Sequence, residues 1–360
     1  MRITFLCPHL RIAGGVRAIL THADRLAARG HVVTLVVPER RRFGAWWRAR
    51  FGRGVGLRAA GGGAARDSDR SGGEPAWMPG LRARVMRVTD WDASRLPDGD
   101  AIVATSWQSA TPVARAPARC GAKLYFVQHY ESLYHGEAAR VDATYRLPLR
   151  KIVISTWLAE IMAERFDSPA ALIVTPVDPA LFHPVPDARD GVLRALMLHH
   201  DYAWKGVADG VEAARRVKQG YPALRLVGFG VRPPATAVPY DEFFADLGQE
   251  RLAWLYSRCP IYLCPSWDEG LGMPPMEAMA CGAALCTYDN GGCRDYAIEG
   301  KTAVVAARRD VDGLARGLEQ LVVDEALRSR LAADGQAFIT SRFGWEEATA
   351  RFETVLRESA

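Results

Sequence analysis

The sequence predicts an α/β protein of two successive Rossmann-like domains, each a doubly wound parallel sheet, and three observations carry that expectation. At 360 residues the chain is long enough for two cores at roughly 150 residues per domain. Apolar runs of strand length alternate with amphipathic stretches of helix length, the pattern of parallel sheets covered by helices. The rhythm breaks at a polar, proline-bearing stretch, PVPDARDG over 184–191, and then starts again.

In chain order, RITFLCP (2–8), a helix from about Val16 to Arg29 and HVVTLVVP (31–38) make a first βαβ unit. Strand-like runs follow at AIVATS (101–106), KLYFVQ (123–128), KIVIS (151–155) and LIVTP (172–176), with helix-forming segments such as TWLAEIMAERF between them. Past the break come LRALMLH (193–199), LRLVGFG (224–230), IYLCPS (261–266), ALCTYD (284–289) and TAVVA (302–306). The last 50 residues read as helices, and in the final one Phe343, Ala348, Phe352, Val355 and Leu356 form the packed side. The expected boundaries are 1–185, 186–340 and 341–360.

Composition narrows the function. With 49% hydrophobic and 24% charged residues the chain has the balance of a folded soluble protein. No apolar run approaches a membrane span, and Pro8 interrupts the opening MRITFLCPHL before a signal-peptide core forms, so a cytoplasmic protein is expected. The seven cysteines are scattered and never paired as Cys-x-x-Cys, which argues against a zinc knuckle or disulfide framework and for reduced, buried thiols. Of the net charge of +5, seven positive charges come from Arg40, Arg41, Arg42, Arg48, Arg50, Arg53 and Arg58, so the rest sums to 5 minus 7, or −2. A nucleic-acid partner, which needs positive charge spread over a face or groove, is not expected.

Residues 40–80 fit neither domain's rhythm and read as a mobile, Arg- and Gly-rich insertion. Phe43, Trp46, Trp47 and Phe51 interleave with the arginines over 40–58, a pattern that suits peripheral attachment to an anionic membrane surface and equally suits a solvated loop whose aromatics tuck onto the domain. Asp67-Ser68-Asp69 in its glycine-rich part is a literal D-x-D, read as chance because a hard-cation site needs preorganised oxygens. No metal is expected.

In doubly wound folds ligands bind at the carboxyl ends of the strands. Gly14-Gly15 sits after the first strand, where absent side chains admit a ligand to the backbone or simply allow a tight turn; the G-x-G-x-x-G fingerprint of dinucleotide enzymes is missing. The strongest signal is PSWDEGLGMPPMEAMACG over 265–282, following a strand and carrying Glu269 and Glu277 eight positions apart. Its glycines loosen the loop and its prolines suit a helix start, so the amides of Gly270, Leu271, Gly272 and Met273 are expected to open onto the site. Glu277, placed in the helix's first turn, suits a vicinal diol such as a ribose, and Glu269 a second ligand's hydroxyls; the bland alternative is a glutamate that complements the helix dipole. Tyr256 is open between nucleotide packing and core packing.

The string from Glu269 to Glu277 matches the E-x(7)-E element of retaining glycosyltransferase family 4, and the whole chain resembles these two-domain GT-B enzymes, particularly those of bacterial cell-surface polysaccharide synthesis. Val177, Asp178, Phe182 and Pro184 resemble the family's interdomain segment, Gly14-Gly15 its N-terminal glycine loop, and the last helix the one returning to the N-terminal domain. The resemblance implies two domains facing across a cleft and metal-free, cofactor-free transfer of a sugar from a nucleotide-diphosphate donor held by the C-terminal domain. It implies that Lys205 neutralises the leaving diphosphate, that Glu269 holds the sugar and Glu277 the ribose, and that Gly291-Gly292 forms a second diphosphate-side loop opening a helix. Where the family has an arginine, this chain has His199-His200, and His200 is the expected donor-side group.

On the N-terminal side, Tyr125 to Glu131 resembles a stretch of some polysaccharide transferases in which an Asp is more usual at the position of His129. His129 is then a group at the reacting centre or a satisfied strand-end histidine, and Trp107, Gln108 and Glu131 are acceptor-side candidates. The acceptor is expected to be a glycan or lipid-linked glycan. The rival readings are a nucleotide-sugar epimerase on the same fold and a non-catalytic nucleotide- or glycan-binding partner.

Overall fold

The computed structural model describes residues 1–39 and 75–360. The arginine-aromatic stretch 40–58 and Asp67-Ser68-Asp69 lie outside the described residues. Contacts group the rest into two units, Met1–Val174 with Glu346–Ala360, and Thr175–Trp345.

The first unit runs β1 (Arg2–Leu6), α1 (Gly14–Ala28), β2 (Val32–Pro38), β3 (Arg84–Val88), β4 (Ala101–Ala104), α2 (Trp107–Ala114), β5 (Ala122–Val127), α3 (Ala138–Tyr145), β6 (Arg150–Val153), α4 (Thr156–Phe166) and β7 (Ala170–Leu172). Its described strands form one parallel sheet in the order β3-β2-β1-β4-β5-β6-β7. Strands covered on both faces must be apolar throughout, and β4 is: every one of its residues is buried. Helices start where a side chain can take up the free amides, as Ser155 does for Leu158 N at α4 and Ser106 does with Ser109 at α2.

The second unit runs β8 (Arg194–Leu198), α5 (Val207–Gly220), β9 (Arg225–Gly230), β10 (Glu242–Ala245), α6 (Gln249–Arg258), β11 (Ile261–Cys264), α7 (Met273–Ala280), β12 (Ala284–Tyr288), β13 (Ala303–Ala306), α8 (Val311–Val323) and α9 (Glu325–Arg342). Its sheet is again parallel, in the order β10-β9-β8-β11-β12-β13. In both sheets the order reverses once, between β1 and β4 and between β8 and β11. Loops leaving two such neighbouring strands part in opposite directions, and the crevice they open is where ligands bind this kind of sheet.

Two strands were not expected from the sequence. β3 (RVMRV) and β10 (EFFA) are sheet edges and only partly covered, so they lack the continuous apolar run that marks the others. The run LIVTP gives a shorter strand than its length suggests: β7 ends at Leu172, one further ladder bond follows from Ile173 N to Val153 O, and the chain then leaves the first unit. All seven cysteines are free and buried. Among the described residues no helix is long and apolar enough to cross a membrane.

The last helix, α10 (Trp345–Ser359), packs into the first unit through Ala348, Phe352, Val355 and Leu356. Phe343, expected on its packed side, lies before it in the link from α9. The fully buried Phe352 ring lies 4.8 Å from the ring of His22, 5.5 Å from Phe126 and 5.9 Å from Phe5, centroid to centroid. At the rim Glu353 pairs with Arg29 at 2.8 Å and meets His31 at 3.2 Å, while Arg29 also reaches Glu346. Removing a fully buried phenylalanine leaves a cavity that a close-packed core cannot refill. Phe352→Ala is expected to cost about 3–5 kcal/mol in a urea unfolding titration, a loss that an exposed-face control, Arg351→Ala, does not share.

Candidate functional site

At the reversal point of the second sheet, the loop leaving β8 carries His199 to Gly206 and the loop leaving β11 carries Pro265 to Gly272. They meet closely. The Trp267 amide donates to the Trp204 carbonyl at 2.7 Å, and Gly206, at φ +65°, passes so near Pro265 that a Cβ there would lie 1.9 Å from the Pro265 carbonyl oxygen. Only glycine fits that position, on both conformation and space. The packing holds Lys205, one residue before the Gly206 N-cap of α5, against the second loop, where its Nζ donates to Glu269 Oε1 at 2.6 Å. Both side chains are largely buried, so this is a desolvated pair with a fixed geometry.

A third loop, after β12, closes on the same segment. Glu269 forms an isolated bridge with Gly291, its amide donates to the Asn290 carbonyl at 3.0 Å, and a Cβ on Gly292 would lie 2.7 Å from Glu269 O, Gly270 C and Leu271 N. Buried Asn290 accepts from the Cys293 amide at 3.0 Å, which shapes the turn. Gly291-Gly292 opens a single 3₁₀ turn, Gly292–Asp295, and not the helix expected from the sequence. Gly272 has φ +91° and a Cβ there would meet Tyr296 Oη at 2.6 Å; the Tyr296 hydroxyl donates to its carbonyl. The segment Gly270 to Met273 is thus held from two sides as it enters α7.

Glu277 is buried in the second turn of α7, not the first, because the helix starts at Met273. That position weakens the bland reading, since helix-dipole stabilisation falls off within the first turn. Tyr256 is fully buried and its hydroxyl donates to Glu277 Oε2 at 3.1 Å, which places it in the core with its polar tip on the carboxylate. The outer edge of the site is braced by Asp268 on Arg308, Arg309 over the Trp267 ring at 4.0 Å, and Asp209 accepting from Trp267 Nε1 at 2.8 Å. Burial lowers the proton affinity of both His199 and His200, and Lys205 pushes His200 further in the same direction.

In the first unit Gly14 and Gly15 are the first two residues of α1 rather than a turn ahead of it. A Cβ on Gly15 would be 3.4 Å from the Gln128 side chain, an ordinary contact that does not demand glycine. Glu131 accepts from the Trp107 amide at 2.8 Å, so it caps α2, and from Tyr125 Oη at 3.3 Å. The Tyr145 hydroxyl donates to the His129 carbonyl at 3.3 Å and accepts from the Glu131 amide at 2.9 Å. His129, Glu131, Trp107 and Gln108 therefore lie together at the ends of β4 and β5. Burial raises the Glu131 carboxyl to about 7 against its two hydrogen bonds, which pull the other way. Tyr145 and Asn290, which shape the two sites, were not singled out from the sequence. Asn-Gly-Gly after a strand is a turn signal that could have marked Asn290, whereas nothing local marks Tyr145.

Comparison with known proteins bears on this geometry. Residues 182–338, within the second unit, match the family described as glycosyl transferases group 1. The chain is 31% identical over 276 residues to the O-antigen biosynthesis protein RfbC of Myxococcus xanthus, a match covering 74% of this chain and 21% of that one. The chain thus spans about a fifth of the length of that curated relative. Among solved structures, sucrose-phosphate synthase of Thermosynechococcus elongatus superposes with a TM-score of 0.76 at 18% identity, over 99% of this chain and 98% of that one. Anabaena HepE in complex with UDP-glucose does so with a TM-score of 0.76 at 13% identity, over 99% and 100%. These likenesses define the class: the fold is that of the GT-B glycosyltransferases. The second unit belongs to the group 1 glycosyltransferases, and the family resemblance read from Glu269 to Glu277 stands with it.

Two expectations test how these sites are built. Gly292→Ala drives a methyl group into the Glu269–Leu271 backbone and should cost about 1–3 kcal/mol by urea titration, where Gly248→Ala, in open space, should cost under about 1 kcal/mol. The Glu131 carboxyl binds its proton more tightly folded than unfolded, so its contribution to stability is complete below about pH 4.5 and is lost as pH rises through about 7. Glu131→Gln, which keeps both hydrogen-bond acceptances, should therefore gain stability relative to the unsubstituted protein between pH 5 and pH 8, read from denaturant midpoints.

Proposed function

We propose that the chain transfers a sugar from a nucleotide-diphosphate donor to a glycan or lipid-linked acceptor, with retention at the anomeric carbon and without a metal, in the synthesis of a cell-surface polysaccharide or glycolipid. One observation carries the reading: a desolvated Lys205–Glu269 pair stands at the reversal point of a parallel sheet, beside the glycine-bounded entry of a helix that buries Glu277. A phosphate-bearing ligand fits that arrangement. An ammonium has three N–H groups, so Lys205 can hold Glu269 and still donate to a diphosphate. The backbone from Gly270 to Met273 lies where the entry of α7 favours anionic charge.

In the proposed reaction the bond from the anomeric carbon to the diphosphate oxygen breaks and its electron pair leaves with the diphosphate. The acceptor hydroxyl oxygen bonds to the same face of that carbon, and its proton passes to a departing diphosphate oxygen. The protein supplies position and charge stabilisation. Lys205 and His200 are assigned to the diphosphate with the Gly291-Gly292 turn, Glu269 to the donor sugar and Glu277 to the ribose. Gly14 and Gly15 are assigned to the donor, Trp107, Gln108 and Glu131 to the acceptor side and His129 to the reacting centre. Support comes from the match of residues 182–338 and from relatives named for O-antigen and capsular polysaccharide synthesis. Action at the inner face of the cell membrane, through residues 40–58, is part of the same proposal.

A panel of nucleotide sugars screened by thermal unfolding should contain a donor that raises Tm, since a ligand of the native state stabilises it by mass action. With that donor, Glu277→Ala should weaken binding about tenfold or more by calorimetry, whereas Lys205→Ala should chiefly lower kcat. No stabilising nucleotide sugar in the panel, or negligible effects of both substitutions, would contradict the assignment.

A further inference from the structure

The family resemblance puts an arginine where this chain has histidine, and the local geometry decides how a histidine can serve there. The Tyr202 backbone amide donates to His200 Nδ1 at 3.1 Å. An atom that accepts a hydrogen bond carries no proton, so the neutral ring holds its hydrogen on Nε2, and an imidazolium, protonated on both nitrogens, would break the bond. The ring is fixed in orientation by the Tyr202 ring, 4.3 Å away, which in turn stacks on Trp204 at 4.1 Å and 17°. Nε2 has no hydrogen-bond partner among the described residues. The same loop delivers Lys205 to Glu269 five residues later.

We infer that His200 serves the diphosphate as a neutral, tautomer-locked Nε2–H donor, beside Lys205 as the side-chain cation of that subsite. The inference rests on the donor site proposed above and adds to it the protonation state and the atom used. The charged and titratable groups around the ring divide: burial, the largest influence, disfavours a positive imidazole, Lys205 and His199 oppose it as well, and Asp201 and Glu269 favour it. No proton moves between His200 and the ligand. The hydrogen bond only strengthens as the bridging oxygen gains charge, so the contribution is made without a titration near neutral pH.

Two variants separate the donor from the ring. His200→Phe keeps the stack on Tyr202 and removes the N–H, whereas His200→Gln keeps an N–H near the same place and removes the titration. Binding of UDP and of GDP is measured by calorimetry from pH 6 to pH 8, and imidazole ¹⁵N resonances of the unsubstituted protein are recorded over the same range. The tighter nucleotide should bind the Phe variant about ten- to a hundredfold more weakly, as expected for a hydrogen bond to a charged group. The Gln variant should stay within about threefold, at a ratio to the unsubstituted protein that does not change with pH. The ¹⁵N spectrum should show Nδ1 bare and Nε2 protonated throughout. The inference is overturned if Phe binds as well as His, if Gln is as weak as Phe, if the His-to-Gln ratio grows as pH falls below 7, or if Nδ1 carries a proton at pH 7. Glu277→Ala measured alongside isolates the donor-site reading: loss there without loss at His200→Phe overturns this inference alone, and no nucleotide binding by the unsubstituted protein overturns both.

Discussion

The candidate site of the second unit depends on backbone segments that pass closer than a side chain would allow. Gly292 lies under the Glu269–Leu271 chain, Gly206 lies against Pro265, and Gly272 turns below the Tyr296 hydroxyl. Three loops from three different strands are thereby fastened to one another through main-chain atoms, which have no rotamers to lose. The paired side chains of the candidate site, Lys205 and Glu269, then stand on a support that is rigid before any ligand arrives. Preorganisation of this kind places the ordering cost in folding rather than in binding.

The fold was largely legible because parallel strands buried on both faces must be apolar along their length, and eleven such runs stand out in the sequence. What escaped was the edges. β3 and β10 carry arginine, glutamate and half-exposed aromatics, so periodicity alone does not separate them from loop. The Glu269–Glu277 string was legible for a different reason: its glycines and prolines prescribe backbone conformation locally, and the helix forms where they say, although its start at Met273 sets Glu277 one turn deeper than expected.

The contacts between those loops were not legible, because they join positions far apart in the chain. That Lys205 reaches Glu269, or that Tyr145 ties His129 to Glu131, follows from sheet order and not from spacing. The same holds for Glu131. Read as an acceptor-side carboxylate, it proves to be anchored on the Trp107 amide and the Tyr125 hydroxyl, so whatever it contributes to a ligand it contributes from a fixed position.

The placement of residues 346–360 in the first unit has a consequence for biosynthesis. As the chain leaves the ribosome, the first unit has a gap beside Phe5, His22 and Phe126 until Phe352 arrives to pack there. The later unit, contiguous in sequence, has all its strands first. The first unit is therefore sealed only after the second has been made, and a nascent chain stalled before residue 346 exposes an unfinished apolar seam to chaperones and proteases.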